Sequence, residues 1–313
     1  MIEEIKNKVE QELIAFTRDL RKLYSLDRIS PLLFKNINNF ITRKGKRVRP
    51  ILFVIGYLGF AKRRAPGLYR SALSIELLHD FMLVHDDVID KSDTRRGKPS
   101  MHKMLNDYLS GFANIKFSGQ DLTIVIGDVM FAMAIHAFLS IKEDQKRKEV
   151  ALKKLAEAAL YTGSGEFMEL LCGIKNIGEM TKEELYKIYD FKTANYTFAS
   201  PLTIGAILAG AKDSEVNKLF DYGIYLGRAF QIKDDILGMF SEERKTGKPI
   251  LTDLQEGKKT ILIWQAYHNS GSKDKIIIKT TLAKKSVNVS DLLRMRGIVI
   301  RSGALEYAKK EIY

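Results

Sequence analysis

Ile75-Glu76-Leu77-Leu78-His79-Asp80-Phe81-Met82-Leu83-Val84-His85-Asp86-Asp87-Val88-Ile89-Asp90 is the stretch that decides how this chain folds. Its apolar residues recur at helical spacing, which predicts a helix with Asp86 and Asp90, four positions apart, on one face. Like charges at that spacing cost an isolated helix only about 0.2–0.5 kcal/mol, but carboxylates beside a packed apolar face also lose hydration. The pair therefore calls for a cation. A solvated acidic helix end would carry the same letters. A second cluster argues against that reading: Gln231-Ile232-Lys233-Asp234-Asp235-Ile236-Leu237-Gly238 again closes an apolar stretch and again has a basic residue nearby.

Outward from these clusters, the rest of the chain repeats the helical period. The 313 residues are 45% hydrophobic, enough for a sizeable core, and include only six prolines. Strand-like alternation is scarce and helix-period segments follow one another from Ile2 onward, so the expected class is all-α. With no fixed-period repeat and no Pro/Ser-rich linker, a single domain over residues 1–313 is expected. The opening Met1-Ile2-Glu3-Glu4-Ile5-Lys6 lacks the features of a signal peptide. Leu122 to Ile141 is the most apolar window, yet it contains Asp128 and His136 and reads as a buried core helix rather than a membrane span. The lone Cys172 follows Leu170-Leu171 and reads as a packed thiol, so a reducing cytoplasm is the expected compartment.

Lys and Arg number 51 against 38 Asp and Glu, a net charge of +13 that points to an anionic partner. Nucleic acid is not the expected one, because aromatic residues are not interleaved with the basic clusters as a stacking platform requires. The cations gather elsewhere. Arg43-Lys44-Gly45-Lys46-Arg47-Val48-Arg49-Pro50 places five around one glycine, just before an apolar helix whose first turn suits Pro50 and whose N-terminus favours anions. Lys91-Ser92-Asp93-Thr94-Arg95-Arg96-Gly97-Lys98-Pro99 puts two guanidiniums close to the first acidic cluster. Phe191-Lys192-Thr193-Ala194, Thr246-Gly247-Lys248-Pro249 and Glu256-Gly257-Lys258-Lys259-Thr260 add further cations. Singly, each could be a solvated surface charge.

Together they suit a polyphosphate ester. Guanidiniums match phosphate oxygens bidentately, and several charge-assisted hydrogen bonds of about 1.5–3 kcal/mol each could both bind a diphosphate and stabilise it as a leaving group. The carboxylates suit magnesium, which prefers oxygen ligands and binds through one or two carboxylates plus substrate phosphates. No His/Cys cluster has zinc spacing, and no covalent nucleophile is evident. Gly163-Ser164-Gly165-Glu166 lacks a P-loop ending, so its glycines are expected to permit close helix packing.

With GKRVRP, HDDVID, DTRRGKPS, GDVMF, FKTA, QIKDD, TGKP and EGKKT in this order, the chain resembles the trans-type isoprenyl diphosphate synthases from about Lys44 to Ala308. The resemblance implies an isoprenoid synthase fold: an all-α bundle around a deep central cavity, usually a homodimer. It implies magnesium held by Asp86 and Asp90, with Asp87 nearby, and by Asp234. Arg95, Lys192, Thr193, Gln231, Lys248 and Lys258 would grip an allylic diphosphate. Lys46, Arg49, His79 and Arg96 would hold isopentenyl diphosphate. The implied reaction is metal-assisted loss of diphosphate, attack by the alkene of isopentenyl diphosphate, and proton loss, with Lys192, Thr193 and Gln231 stabilising charge at the reacting centre.

Product length is expected to depend on residues one or more turns before Asp86, namely Met82, Phe81 and Leu78, with Ile75 beyond. Phe81, fifth before the motif and followed by Met82, resembles the pattern of synthases making geranylgeranyl diphosphate. Farnesyl or longer products, a cyclase or head-to-head coupling enzyme, and a non-catalytic subunit of a heteromeric synthase are the competing readings. Lys46, Arg49, His79 and Arg96 argue against a cyclase, which needs no isopentenyl site. Two departures from the family pattern stand out: Gly238 occupies the third aspartate position of the second motif, and the chain stops at Tyr313 where many members continue.

Overall fold

The structure, a computed structural model, describes residues 1–95, 97–241 and 251–313. Arg96 and Lys248, both expected to bind diphosphate, lie outside the described residues, as does the rest of Thr246-Gly247-Lys248-Pro249. Among the described residues the fold is helical throughout. The only strands among the described residues are two-residue pieces, β1 (Thr94–Arg95) and β2 (Lys98–Pro99), paired antiparallel with Thr94 opposite Pro99 and Arg95 opposite Lys98. The all-α class read from the sequence is what forms.

Two compact units divide the chain: Met1–Ala159 with Ser200–Phe220, and Leu160–Ala199 with Asp221–Tyr313. In the first, α1 (Ile2–Leu23) buries Ile5, Val9, Leu13, Phe16 and Leu20, the three-and-four spacing of one helix face. After α2 (Leu26–Ile29) and α3 (Pro31–Ile41), α4 (Val48–Leu58) begins at Arg47, whose φ of 51° turns the chain into the helix. Pro50 falls in its first turn, where a missing N–H costs nothing.

Helix α5 (Leu68–Ile89) is the centre of this unit. Nearly every residue from Leu68 to Leu78 is buried, because α1, α4 and α7 (Gly119–Phe138) all pack on it. The hairpin and α6 (Met101–Leu109) connect α5 to α7, which opens with a reciprocal Ser118–Asp121 capping box. By length and composition α7 could cross a membrane, with a mean hydropathy of 1.6, but 44% of that window is buried inside the protein. It packs against α5 and α6, which accounts for its apolar composition.

The second unit has its own core, in which Leu185, Ile188, Ile232, Ile261, Met295 and Ile298 are all buried. Its first part belongs to α8 (Gln145–Ile174), and α9 (Lys182–Tyr189) follows behind a Thr181–Glu184 capping box. From α9 the chain runs into a π-helical segment, Asp190–Ala199, a wide turn geometry that is rare overall but frequent at functional sites. Next come α10 (Ser200–Ala209), which belongs to the first unit and packs there on α4, and α11 (Asp213–Phe240), whose residues from Asp221 onward belong to the second. Cys172 is a packed thiol: burial pushes its pKa up, the opposite of nucleophile activation.

Candidate active site

In the first unit the chemistry collects at the C-terminal end of α5. Asp86 lies in the last turn, Asp90 is the capping residue just beyond it, and their carboxylates offer oxygens within 4.8 Å of one another. A helix C-terminus already carries partial negative charge, and the last turn of α5 has no basic residue to offset it. Arg95, brought back by the hairpin, meets part of that charge: Nη2 lies 2.9 Å from Asp86 Oδ2, and Nε donates to Asp87 Oδ1 at 2.7 Å. Burial works against the Arg95 guanidinium, but the two aspartates outweigh it and hold its pKa above the ordinary value. Burial also pushes the Asp87 carboxyl up, with Arg95 opposing. Asp87 thus faces inward as the anchor for Arg95, whereas Asp86 and Asp90 stay half-exposed. Two half-exposed carboxylates whose hard oxygen donors lie close together fit a divalent cation such as magnesium.

The basic segment before α4 divides by direction. Lys44 and Lys46 are exposed and Arg49 is half-buried, whereas Arg43 and Arg47 point into the protein. His79, half-buried on α5, stands seven residues before Asp86 and so near the same helix face. The chain-length candidates are on the same helix: Phe81 meets His85 edge-on with ring centroids 4.7 Å apart and leans on Phe131 of α7 at 5.4 Å. Leu78 is fully buried, and Met82 is half-buried.

In the second unit three elements bring the remaining candidates together. The π-helical segment carries Lys192 and Thr193, and α11 carries Gln231 and Asp234. Thr193 donates its hydroxyl to Gln231 Oε1 at 2.8 Å, and Gln231 Nε2 donates to Asp235 Oδ1 at 2.9 Å. Tyr189 donates its hydroxyl to the other Asp235 oxygen and accepts from the Ile261 amide at 2.9 Å. Burial raises the Asp235 pKa to about 7, with Tyr189 and Gln231 opposing, while Asp234 beside it is exposed.

Lys192 pairs with Glu166 of α8 at 2.6 Å and also with Glu169. The approach of α8 to this segment depends on Gly165, since a Cβ there would lie 2.6 Å from the Lys192 backbone nitrogen; Gly163, expected to act likewise, faces nothing within 4 Å. Lys258 lies 2.6 Å from Glu256 and 4.0 Å from Asp253. Burial opposes its charge, but Glu169, Glu256 and Asp253 outweigh burial and raise its pKa. Lys259 caps the end of α8 instead, donating to the carbonyls of Cys172 and Gly173 at 2.9 and 2.7 Å. The third position of the second motif is also explained: a Cβ on Gly238 would stand 2.2 Å from Asp253 Oδ2, so this carboxylate occupies the space beside the glycine.

Sequence reasoning assigned no role to Tyr189, Glu166, Glu169 or Asp253. Glu166 and Glu169 carried a usable signal, three apart on one helical face.

Carboxylates placed to hold a divalent cation, with guanidinium and ammonium groups suited to phosphate oxygens, are the equipment of a helical enzyme acting on diphosphate esters. The Polyprenyl synthetase family model matches residues 30–298. A geranylgeranyl diphosphate synthase of Saccharolobus solfataricus is 34% identical over 86% of this chain and 76% of its own length. A geranylfarnesyl diphosphate synthase of Aeropyrum pernix is 32% identical over 87% of this chain and 80% of its own. Among solved structures, a geranylgeranyl pyrophosphate synthase from Corynebacterium glutamicum, complexed with isoprenyl diphosphate and magnesium, superposes with a TM-score of 0.89 at 26% identity, covering 100% of this chain and 90% of that one. The chain belongs to the polyprenyl synthetase family, the trans-type isoprenyl diphosphate synthases, and is a prenyltransferase with the all-α isoprenoid synthase fold.

Proposed function

We propose that this prenyltransferase condenses isopentenyl diphosphate with an allylic diphosphate to make geranylgeranyl diphosphate, with magnesium as its metal. The observation that carries this reading is the Asp86/Asp90 carboxylate pair at the end of α5, with Arg95 fixed beside it by buried Asp87. Asp86 and Asp90 hold magnesium in the first unit, Asp87 assists by fixing Arg95, and Asp234 holds magnesium in the second. When bound, the metal neutralises charge on the departing diphosphate.

Arg95, Lys192, Lys248 and Lys258 bind the allylic diphosphate oxygens. The Lys258 ammonium has three N–H donors, so its pairing with Glu256 leaves donors for a phosphate. Lys46, Arg49, His79 and Arg96 bind isopentenyl diphosphate. The allylic carbon–oxygen bond breaks with its electron pair leaving on diphosphate, and the alkene of isopentenyl diphosphate attacks the allylic cation. The departing diphosphate then takes the proton lost from the adduct. Thr193, whose hydroxyl donates to Gln231, keeps its oxygen lone pairs to stabilise, with Lys192 and Gln231, the charge that develops at the reacting centre. Phe81, leaning on Phe131 and flanked by Met82 and Leu78, stops chain growth at C20. Residues 1–313 are one isoprenyl diphosphate synthase domain, in a cytoplasmic homodimer that binds no nucleic acid.

The test is to incubate the protein with magnesium, radiolabelled isopentenyl diphosphate and each of dimethylallyl, geranyl and farnesyl diphosphate, then resolve the products by length. A C20 product from all three primers, absent in Asp86→Ala, is expected. A C15 product would make the chain a farnesyl diphosphate synthase, and products of C25 or more a longer-chain synthase. No product with any primer would indicate a non-catalytic subunit.

A further inference from the structure

Three of the five cations between Arg43 and Arg49 have no part in substrate binding as proposed: Lys44 is exposed, whereas Arg43 and Arg47 are turned inward. Arg47 has no exposed side-chain surface. It donates through Nε to Glu10 of α1 and through Nη1 to Glu76 of α5, both at 2.7 Å, and through Nη2 to the carbonyls of Ile41 and Arg43 at 3.0 and 2.9 Å. The backbone at residue 43 is thereby tied to two helices. Arg43 is 6% exposed and rests over the Phe40 ring at 5.0 Å. Its guanidinium crosses to the hairpin, with both Nη atoms 3.3 Å from the Pro99 carbonyl and Nη1 3.5 Å from that of Arg95.

A continuous line of bonds therefore joins α5, through Glu76, Arg47 and Arg43, to the hairpin that carries Arg95. On one side of that line Lys46 projects from the same short segment. On the other, Arg95 clamps Asp86 and Asp87. We propose that Arg43 is a positioning residue that couples the segment bearing Lys46 and Arg49 to the hairpin bearing Arg95, so that occupancy by one diphosphate substrate tightens the hold on the other. This rests on the assignment of Lys46 and Arg49 to isopentenyl diphosphate and of Arg95 to the allylic substrate. A guanidinium fork bonded to backbone carbonyls suits the task, because it holds its shape and does not lose its charge near neutral pH.

The experiment measures isopentenyl diphosphate affinity calorimetrically on the full chain with magnesium, with and without an unreactive allylic thiolodiphosphate. In the wild type the analogue should tighten binding about fivefold or more. In Arg43→Met that ratio should fall to near one, while affinity for either ligand alone stays within about threefold of wild type. Arg43→Lys, which keeps the charge but loses the fork, should give an intermediate ratio, and it carries the test if the methionine variant does not fold. A ratio near one in the wild type overturns the proposal. So does a wild-type ratio in a folded Arg43 variant, even one with lowered thermal stability, since that is what a merely structural arginine would give. Lys46→Gln separates the underlying assignment: if it leaves isopentenyl diphosphate affinity unchanged, that reading fails whatever Arg43 does.

Discussion

Arg95 donates through Nε at 2.7 Å to Asp87, whose side chain has no exposed surface. Removing one partner of such a pair leaves a buried charge uncompensated, at a typical cost of about 3–5 kcal/mol. Arg95→Met should therefore lower unfolding free energy by about that amount, and adding Asp87→Asn should recover more than half of it. Urea denaturation of the two single variants and the double variant checks this. Additive losses would mean that Asp87 is not what Arg95 compensates.

Burial raises the Asp235 pKa from its ordinary 3.8 to about 7, so between those values the folded protein keeps a proton that the unfolded chain has lost. The stability linked to this proton is fully present below the ordinary value and is lost as pH rises through the folded one. About three units correspond to something on the order of 3–4 kcal/mol. Asp235→Asn removes the titration, so the stability of wild type relative to this variant should decline between pH 4.5 and pH 7.5. Denaturation curves in chelator at several pH values provide the check; parallel profiles would contradict the assignment.

The Asp253 carboxylate fills the space beside Gly238, so a side chain there must displace it. Gly238→Ala should disturb Asp253 and nearby Lys258, raising KM for the allylic substrate about tenfold through lost charge-assisted bonding. Gly238→Asp, although it supplies a third aspartate, should be no better than Gly238→Ala. Steady-state kinetics with varied allylic substrate tests both, and a more active Gly238→Asp enzyme would show that Asp253 does not compete for that space.

Phe81 leans on Phe131, with ring centroids 5.4 Å apart. Phe81→Ala should extend the products beyond C20, and Phe131→Ala, which removes only the supporting ring, should give a smaller extension. Chromatography of dephosphorylated products reads the length directly. An unchanged distribution in both variants would place the stop elsewhere.

Helix α5 and its acidic end were legible because helical periodicity and the four-residue spacing of Asp86 and Asp90 are local properties of the letters. Direction was harder to read. Asp234 and Asp235 are neighbours in sequence, yet one is exposed and the other buried against Tyr189, a partner 46 residues away. The five cations between Arg43 and Arg49 likewise give no local sign that Arg43 and Arg47 turn inward, since that depends on Glu10, Glu76 and the Pro99 carbonyl. The division into two units was also hidden, because α8 and α11 each contribute to both and no change of composition marks the boundary.

The most direct measurement is the rate of product formation, in single turnover with magnesium and isopentenyl diphosphate, from farnesyl diphosphate and from its analogue bearing fluorine on the double-bond carbon next to the reacting one. Fluorine withdraws electrons and destabilises an allylic cation, so ionisation before bond formation should slow the analogue by about a hundredfold or more, equivalent to roughly 3 kcal/mol in the barrier. Equal rates would contradict ionisation as the step that Asp86, Asp90 and Arg95 serve.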